Sequence, residues 1–382
     1  MLARIYLAFL TTAGIFYINI MPAVINGLKE GLDFSNQQAG FVSSANLYGA
    51  ALGALSAVFL IKHINWRLWA YTLLVILIAI DLSCIFIQQP ISMIAIRAFH
   101  GLAGGLLVGI GFAIISRTTE ADKTFGYLLL IQWSLGGLGI MYLPGLVPSY
   151  GTGALFVSLI TFTSVTLLML PFLPTYEIEQ HAKTVKQQST IEAKPMLMNL
   201  LGIFLFQAAN MGLFAYMISL GKADGLTVEY MSNSLGIASW IALFGALLVI
   251  IIGTKYGRTL PLIIAILITA LCSWLLHFSA IAEVYLITNI LIGITWAFVL
   301  PYLFGICAEL DKAGQMAAMG GFASKMGLAS GPMVAALLFG SEVVNSEVSY
   351  SLIINIASFS LVICALVIIL PARLLDKSAS TN

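Results

Sequence analysis

The sequence predicts an all-α integral membrane protein of twelve transmembrane helices, built as two parallel-repeat six-helix bundles. Three observations carry this. Apolar residues fill 60% of the 382 positions and charged residues only 9%, against about 25% charged in a soluble domain. Twelve apolar runs reach the roughly 20 residues that a helix needs to cross a bilayer. Finally, Lys and Arg alternate between rich and poor connections, as they do when every second loop faces the cytoplasm.

The runs cover approximately 4–28, 38–61, 67–87, 91–116, 124–148, 152–173, 196–219, 230–253, 260–280, 284–308, 315–340 and 348–371. The first follows Arg4 and stays apolar through Ile25. That is longer than the core of a secretory signal and lacks a small-residue cleavage site, so it reads as a membrane span. Most connections are short. The exception, 174–195, holds Glu177, Glu179, His181, Lys183, Lys186, Glu192 and Lys194. It reads as a cytoplasmic surface linker between bundles at 1–173 and 196–382.

Counting basic residues orients the chain. With both termini cytoplasmic, the inside segments hold Arg4, Lys62, Arg67, Arg117, Lys123, Lys183, Lys186, Lys194, Lys255, Arg258, Lys312, Arg373 and Lys377. The outside loops hold Lys29 and Lys222, so the bias is thirteen to two and fits the positive-inside rule. Dropping one helix would scramble it, which supports an even number. The last two basic residues, Arg97 and Lys325, fall within spans.

Several classes are excluded. A net charge of +1 without a basic run gives nucleic acid nothing to bind. Cys84, Cys272, Cys307 and Cys364 lie far apart in apolar stretches and read as small buried residues rather than metal ligands. No nucleophile motif, phosphate-binding loop or catalytic cluster occurs at useful spacing. An enzyme is therefore not expected, nor a metal or cofactor.

The halves echo each other. Glu120-Ala121-Asp122-Lys123 matches Glu309-Leu310-Asp311-Lys312, the Lys29 loop matches the Lys222 loop, and Lys62–Arg67 aligns with Thr254–Thr259. Two such halves of like orientation form a parallel repeat, for which a transport site between the halves near the midplane is expected.

On these residues the chain resembles the major facilitator superfamily over essentially its whole length. Ser35-x-x-Gln38-x-Gly40, followed by Gly49 and Gly53, is similar to that family's second-helix entry. Arg97-x-x-His100-Gly101-x-x-Gly104-Gly105 resembles its fourth-helix Arg-x-x-Gln-Gly pattern. Gly253-Thr254-Lys255-Tyr256-Gly257-Arg258 resembles the second copy of its loop motif. The acidic position of that motif, which in the family helps to latch the two domains, is Lys62 in the first half and Thr254 in the second. The helix-5 signature of exporters is degenerate here, with Gly136, Gly137, Gly139 and Pro144 at other spacings. A closer copy, Gly327-x-x-x-Gly331-Pro332, lies in the eleventh span.

Ionisable groups in hydrocarbon are costly, and those that persist pair or face water-filled cavities. Four stand out: Asp81, Arg97, His100 and Lys325. Lys325 lies about ten residues into its span, about 15 Å deep at 1.5 Å per residue. No acid is evident at similar depth in its half, so it reads as an anion-binding group or one that exchanges its proton. The plain alternative is a structural lysine bonded to helix carbonyls or to the opposite half. Asp81 and Arg97 flank the turn between the third and fourth spans at matched depth, which suits an ion pair. His100, one turn beyond Arg97, has an ordinary pKa near 6.5 and is a candidate proton carrier; the alternative is a neutral ring on a backbone carbonyl. The resemblance implies a coupling role for Arg97. Gly101, Gly105 and Gly109 form a stripe that suits close helix packing.

Polar and aromatic residues inside the spans form a candidate cavity lining: Asn19 and Asn26 on the first, Asn46, Gln132 with Trp133, Gln207 with Asn210, Trp240, and Asn289 with Trp296. Asn19 and Asn26 are seven apart, hence on one helical face. Amide glue between helices is the competing reading for each. Pro22 and Pro301 are candidate bends at gates.

The expected function is secondary transport of a small organic solute by alternating access across a bacterial cytoplasmic (inner) membrane. An organic anion is favoured because two basic residues within spans meet one acid. Coupling to H+ is a further expectation, as is a monomer in the lipid bilayer. The alternatives are efflux of amphipathic drugs or metabolites and, from another class, a non-transporting membrane sensor on a transporter scaffold.

Overall fold

A computed structural model of the chain describes residues 2–61, 63–118, 120–174, 176, 193–310, 315–340 and 346–380. Lys62, most of the 174–195 linker and the Asp311-Lys312 half of the repeated acidic motif lie outside the described residues. The chain divides into two compact units, Met1–Ala182 and Lys183–Asn382.

The first unit comprises α1 (Leu2–Ala13), α2 (Phe16–Asn19), α3 (Met21–Leu32), α4 (Asn36–Leu60), α5 (Trp66–Cys84), α6 (Pro90–Ile115), α7 (Ala121–Tyr150) and α8 (Gly153–Met169). The second comprises α9 (Ala193–Ala215), α10 (Met217–Ala223), α11 (Val228–Ile241), α12 (Leu243–Ile252), α13 (Thr259–Leu275), α14 (Ala282–Leu310), α15 (Gln315–Phe339) and α16 (Ser346–Ser380). Among the described residues, 11 helices are long and apolar enough to cross a membrane. The remaining span, α1 to α3, is apolar but interrupted.

That interruption corrects the expectation of one helix over 4–28. The chain leaves helical geometry after Ala13 and again at Ile20, whose φ is −107° and ψ 18°. Pro22 supplies a reason for the second break. It has no N–H for the Ile18 carbonyl, so a continuous helix would lose a bond there. The Ile20 N–H instead closes a tight turn onto Ile18, and Pro22 sits in the first turn of α3, where a missing donor costs nothing. The seven-residue spacing of Asn19 and Asn26 therefore does not put them on one face. Asn26 is buried while Asn19 is half-buried.

The seventh span breaks in the same way. Between α9 and α10, Tyr216 has φ −107° and ψ 11°, close to the values at Ile20. The first span of each half thus carries the same backbone kink, an echo of the repeat. The eighth span is also divided, with Ala242 between α11 and α12.

Local chemistry starts several helices. The Ser35 hydroxyl accepts from the Gln38 N–H (3.1 Å), and the Gln38 Oε1 accepts from the Ser35 N–H (3.0 Å). This reciprocal cap satisfies two donors that a helix N-terminus leaves open, so the Ser35-x-x-Gln38 pattern has a structural cause. Asn65 caps α5 and Thr227 caps α11.

Packing within each unit depends on absent side chains. On α6, a Cβ at Gly101 or Gly105 would strike the Asn46 or Ala50 backbone of α4. On α15, Gly327 and Gly331 press likewise against the Phe204 and Ala208 carbonyls of α9. Lipid offers helices no hydrophobic drive to associate, so such close approach supplies much of the attraction. All four cysteines are buried and free.

Candidate functional site

The first unit gathers Asp81, Arg97, His100 and Asn46 into one buried cluster, with exposures of 1%, 0%, 4% and 3%. The missing side chain at Gly101 brings α4 against α6, and this places Asn46 over the preceding turn. Its Nδ2 donates to the Arg97 carbonyl (3.1 Å) and lies 2.9 Å from His100 Nδ1. Arg97 Nη1 donates to Asp81 Oδ1 at 2.5 Å, and Nη2 lies 3.2 Å from His100 Nδ1. His100 Nε2 in turn sits 3.4 Å from Asp81 Oδ1.

This geometry fixes the roles of the ring nitrogens. Two side chains that can only donate from the atoms concerned converge on Nδ1, so Nδ1 is an acceptor and a neutral ring carries its proton on Nε2, facing Asp81. A second proton on Nδ1 would confront both donors. His100 can therefore become cationic only if Arg97 and Asn46 move away. The alternative of a neutral ring bonded to a backbone carbonyl differs in its partners, which are the side chains of Asn46, Arg97 and Asp81.

Two aromatic rings complete it. The Arg97 guanidinium carbon lies 4.2 Å from the centre of the Tyr17 ring and 5.9 Å from that of Phe156. Tyr17 also reaches Ser43, its hydroxyl 3.4 Å from the serine oxygen. One oxygen of Asp81, Oδ2, and the Arg97 Nε have no hydrogen-bond partner among the described residues.

The second unit holds a different arrangement. Trp296 Nε1 on α14 donates to Gln207 Oε1 on α9 (2.7 Å), and Gln207 Nε2 donates to Ser324 Oγ on α15 (2.6 Å). The next residue is Lys325, which is half-buried and makes no hydrogen bond or ion pair among the described residues. Of the expected lining residues, Gln207 and Trp296 are thus joined directly, with Lys325 beside the serine that receives the chain. Phe214 packs edge-on against Trp296 at 6.0 Å between ring centres.

The other lining residues are more dispersed. Asn210 Nδ2 donates to the Phe206 carbonyl of its own helix (2.8 Å), and its buried Oδ1 has no partner among the described residues. Asn289 donates to the Tyr285 carbonyl one turn back (2.8 Å). Asn19 donates to the Gln132 backbone carbonyl (3.3 Å), which leaves the Gln132 side chain outside that bond. Trp133 is half-buried, and Trp240 is 39% exposed. Pro301 lies within the unbroken α14 and is exposed.

Sequence reasoning missed Tyr17, Phe156 and Ser324. Tyr17 lies in the short α2, whose orientation no regular period could give. Ser324 is small and was overlooked beside its charged neighbour. The loop ends were also underestimated. Glu120 pairs with both Arg4 and Lys123, and Arg258 pairs with Glu309. Asp376 accepts from the Arg258 N–H (2.7 Å), the Thr259 N–H (2.9 Å) and the Thr259 hydroxyl (2.6 Å), which ties the start of α13 to the end of α16. With Thr254 at the acidic position of the loop motif, the Arg258 side chain takes Glu309 as its acid.

Apolar spans in two units, each with a polar cluster inside its helices, define an integral membrane protein of the transporter class. The chain belongs to the major facilitator superfamily, whose family model matches residues 5–336. It is a membrane transporter and not an enzyme. Among solved structures it is similar to a variant of the nucleoside transporter NupG, with a TM-score of 0.79 and 14% identity over 97% of this chain and 99% of that one. A second structure of NupG gives 0.72 at 14% identity, over 97% and 99%. The D-xylose-proton symporter gives 0.73 at 16% identity, over 95% of this chain and 96% of that one. No curated protein sequence matches.

Proposed function

We propose that this transporter is a secondary carrier of a small organic anion, working by alternating access, with Lys325 as the counter-charge for the solute. The observation that carries this is a lysine about ten residues into an apolar helix with no acid paired to it among the described residues. A charge so placed is costly unless something compensates it. The described residues of its unit supply no compensation, and an anionic solute would. The hydrogen-bonded row Trp296–Gln207–Ser324 beside it offers an apolar face and polar atoms to orient the rest of the molecule, the usual make-up of a small-molecule site.

The coupling ion is assigned to the first unit. Proton uptake by His100 requires Arg97 and Asn46 to withdraw from Nδ1, and both lie at the close contact of α4 and α6. Protonation would thereby bias the packing of these two helices, as coupling needs. The reading places the carrier as a monomer in a bacterial cytoplasmic membrane with both termini inside, as the basic-residue count favours.

Counterflow in proteoliposomes tests this, with organic anions, cations and neutral solutes offered with and without a pH gradient. The expected result is saturable exchange confined to anions, lost in Lys325→Ala and accelerated by an inward proton gradient. Anion exchange unchanged in Lys325→Ala overturns the assignment of the lysine. Transport indifferent to the gradient overturns the proton coupling.

A second reading, a neutral hydroxylated solute, is favoured by the solutes named for the similar structures, a nucleoside and D-xylose. The Trp296–Gln207–Ser324 row would suit hydroxyl groups as well. The same panel separates the two readings.

A further inference from the structure

The row from Trp296 to Ser324 has a direction that its chemistry fixes. An indole nitrogen only donates, so the Gln207 atom 2.7 Å from Trp296 Nε1 is the amide oxygen. The amide nitrogen therefore faces Ser324 Oγ at 2.6 Å, and the hydroxyl oxygen accepts. Both polar ends of Gln207 are thus engaged inside the protein, where the residue is only 3% exposed. What is left over is the hydroxyl hydrogen of Ser324.

That hydrogen has no acceptor among the described residues. In helices a serine commonly donates to the carbonyl one turn back, as Ser56 does in α4 (2.8 Å) and Ser239 in α11 (2.9 Å); Ser324 does not. A donor left unpaired away from water is costly. Ser324 keeps 7% of its surface, beside Trp296 and Lys325, which are both half-buried. Ten buried side-chain polar atoms lack a partner among the described residues, and Lys325 Nζ is not one of them, so its ammonium keeps accessible surface. The exposed large apolar side chains of α15 are Met319, Val334 and Leu337. At about 100° per residue they project about 120° or more away from Lys325. The lysine thus does not share their lipid-facing side.

Resting on the anion reading of Lys325, we propose that Ser324 is a specificity-determining donor of the transport site, with Gln207 and Trp296 as positioning residues that act through it. Successive side chains on a helix diverge by about 100° and do not face each other. Ser324 and Lys325 therefore address different atoms of one solute. Lys325 takes the charged group, and Ser324 donates to a second, neutral oxygen. The solute class is an organic acid with a keto or hydroxyl oxygen near its carboxylate. A methylene at that place leaves the hydroxyl hydrogen unpaired, and a site built to hydrogen-bond an oxygen rejects the analogue that lacks it.

The test is affinity measured by calorimetry on the purified full chain, with acids that differ at one carbon. Pyruvate and lactate are compared with propionate, and levulinate with valerate. At least one oxygenated acid should bind the wild type about tenfold tighter than its unsubstituted partner, as pairing one otherwise unmade donor gives. Ser324→Ala should erase that preference and Ser324→Thr, which restores a hydroxyl, should keep it. Gln207→Leu frees the hydroxyl to turn to its helix carbonyl and should shrink the preference without weakening propionate or valerate; a merely structural glutamine would weaken every acid alike. Lys325→Met should weaken all of them. Oxygenated and unsubstituted acids that bind the wild type equally overturn the proposal, as does a preference undiminished in Ser324→Ala; the anion reading survives either result if Lys325→Met still weakens binding. Acids that do not bind the wild type at all overturn both.

Discussion

Replacing Arg97 by Met leaves Asp81 buried at 1% exposure without its guanidinium partner. Breaking one side of a buried ion pair costs about 3–5 kcal/mol. Arg97 also lies 4.2 Å over the Tyr17 ring, a contact worth up to about 2 kcal/mol when desolvated. Asp81→Leu should cost a similar amount, because Arg97 keeps its aromatic contacts but loses the one carboxylate it touches among the described residues. The double variant removes both charges. It should then cost only about 1–2 kcal/mol, mostly the lost cation–π contact. The cycle thus predicts a coupling of several kcal/mol between the two sites. For a unit of this size about 2–4 °C accompanies each kcal/mol, so each single variant should melt on the order of 10 °C lower and the double only a few degrees lower. Thermal unfolding of the purified protein reads this directly. A double variant destabilised by the sum of the singles would refute a paired charge in this cluster. The folded double variant should also respond more weakly to a pH gradient, since protonation of His100 Nδ1 then displaces only the Asn46 donor and no longer the Arg97 guanidinium.

Two further predictions separate solute binding from packing. Lys325→Met removes a cation that has no partner among the described residues and whose placement in a helix centre costs about 2.5–3.5 kcal/mol, so thermal stability should hold or rise while anion counterflow disappears; a fall in melting temperature would mark the lysine as structural. Gly105→Val inserts side-chain carbon into the Ala50 backbone of α4 and should cost about 1–3 kcal/mol by overpacking, visible as lower folded yield and melting temperature, whereas the same change at Gly126, with nothing within 4 Å, should leave packing intact.

The spans were legible because bilayer thickness imposes a length on apolar runs that composition reveals directly. The Asp81–Arg97 contact was legible for a related reason: two groups at matched depth across a short turn have few other partners in hydrocarbon. What stayed hidden depends on how one helix meets another. The break at Ile20 rotates α2 away from a continuous helical period, so Tyr17 could not be placed over Arg97 and Asn19 could not be paired with Asn26. The row from Trp296 through Gln207 to Ser324 joins three helices distant in sequence, and only close packing at Gly327 brings α15 near enough to α9. Lys325 was identified from its depth alone, but its lack of a partner among the described residues is a three-dimensional fact. Asp376 was missed because its role is to bind backbone N–H groups at Arg258 and Thr259, which leave no pattern in side chains.

Binding of matched acids and amides tests the role of Lys325 most directly, with benzoate against benzamide and succinate against succinamide, each measured on the wild type and on Lys325→Met by calorimetry or thermal shift. Each pair is nearly isosteric and differs chiefly in charge. If Lys325 is the counter-charge, at least one acid should bind the wild type about tenfold to a hundredfold tighter than its amide, as a charge-assisted hydrogen bond gives, and Lys325→Met should abolish the difference. Amides that bind the wild type as tightly as their acids would contradict it.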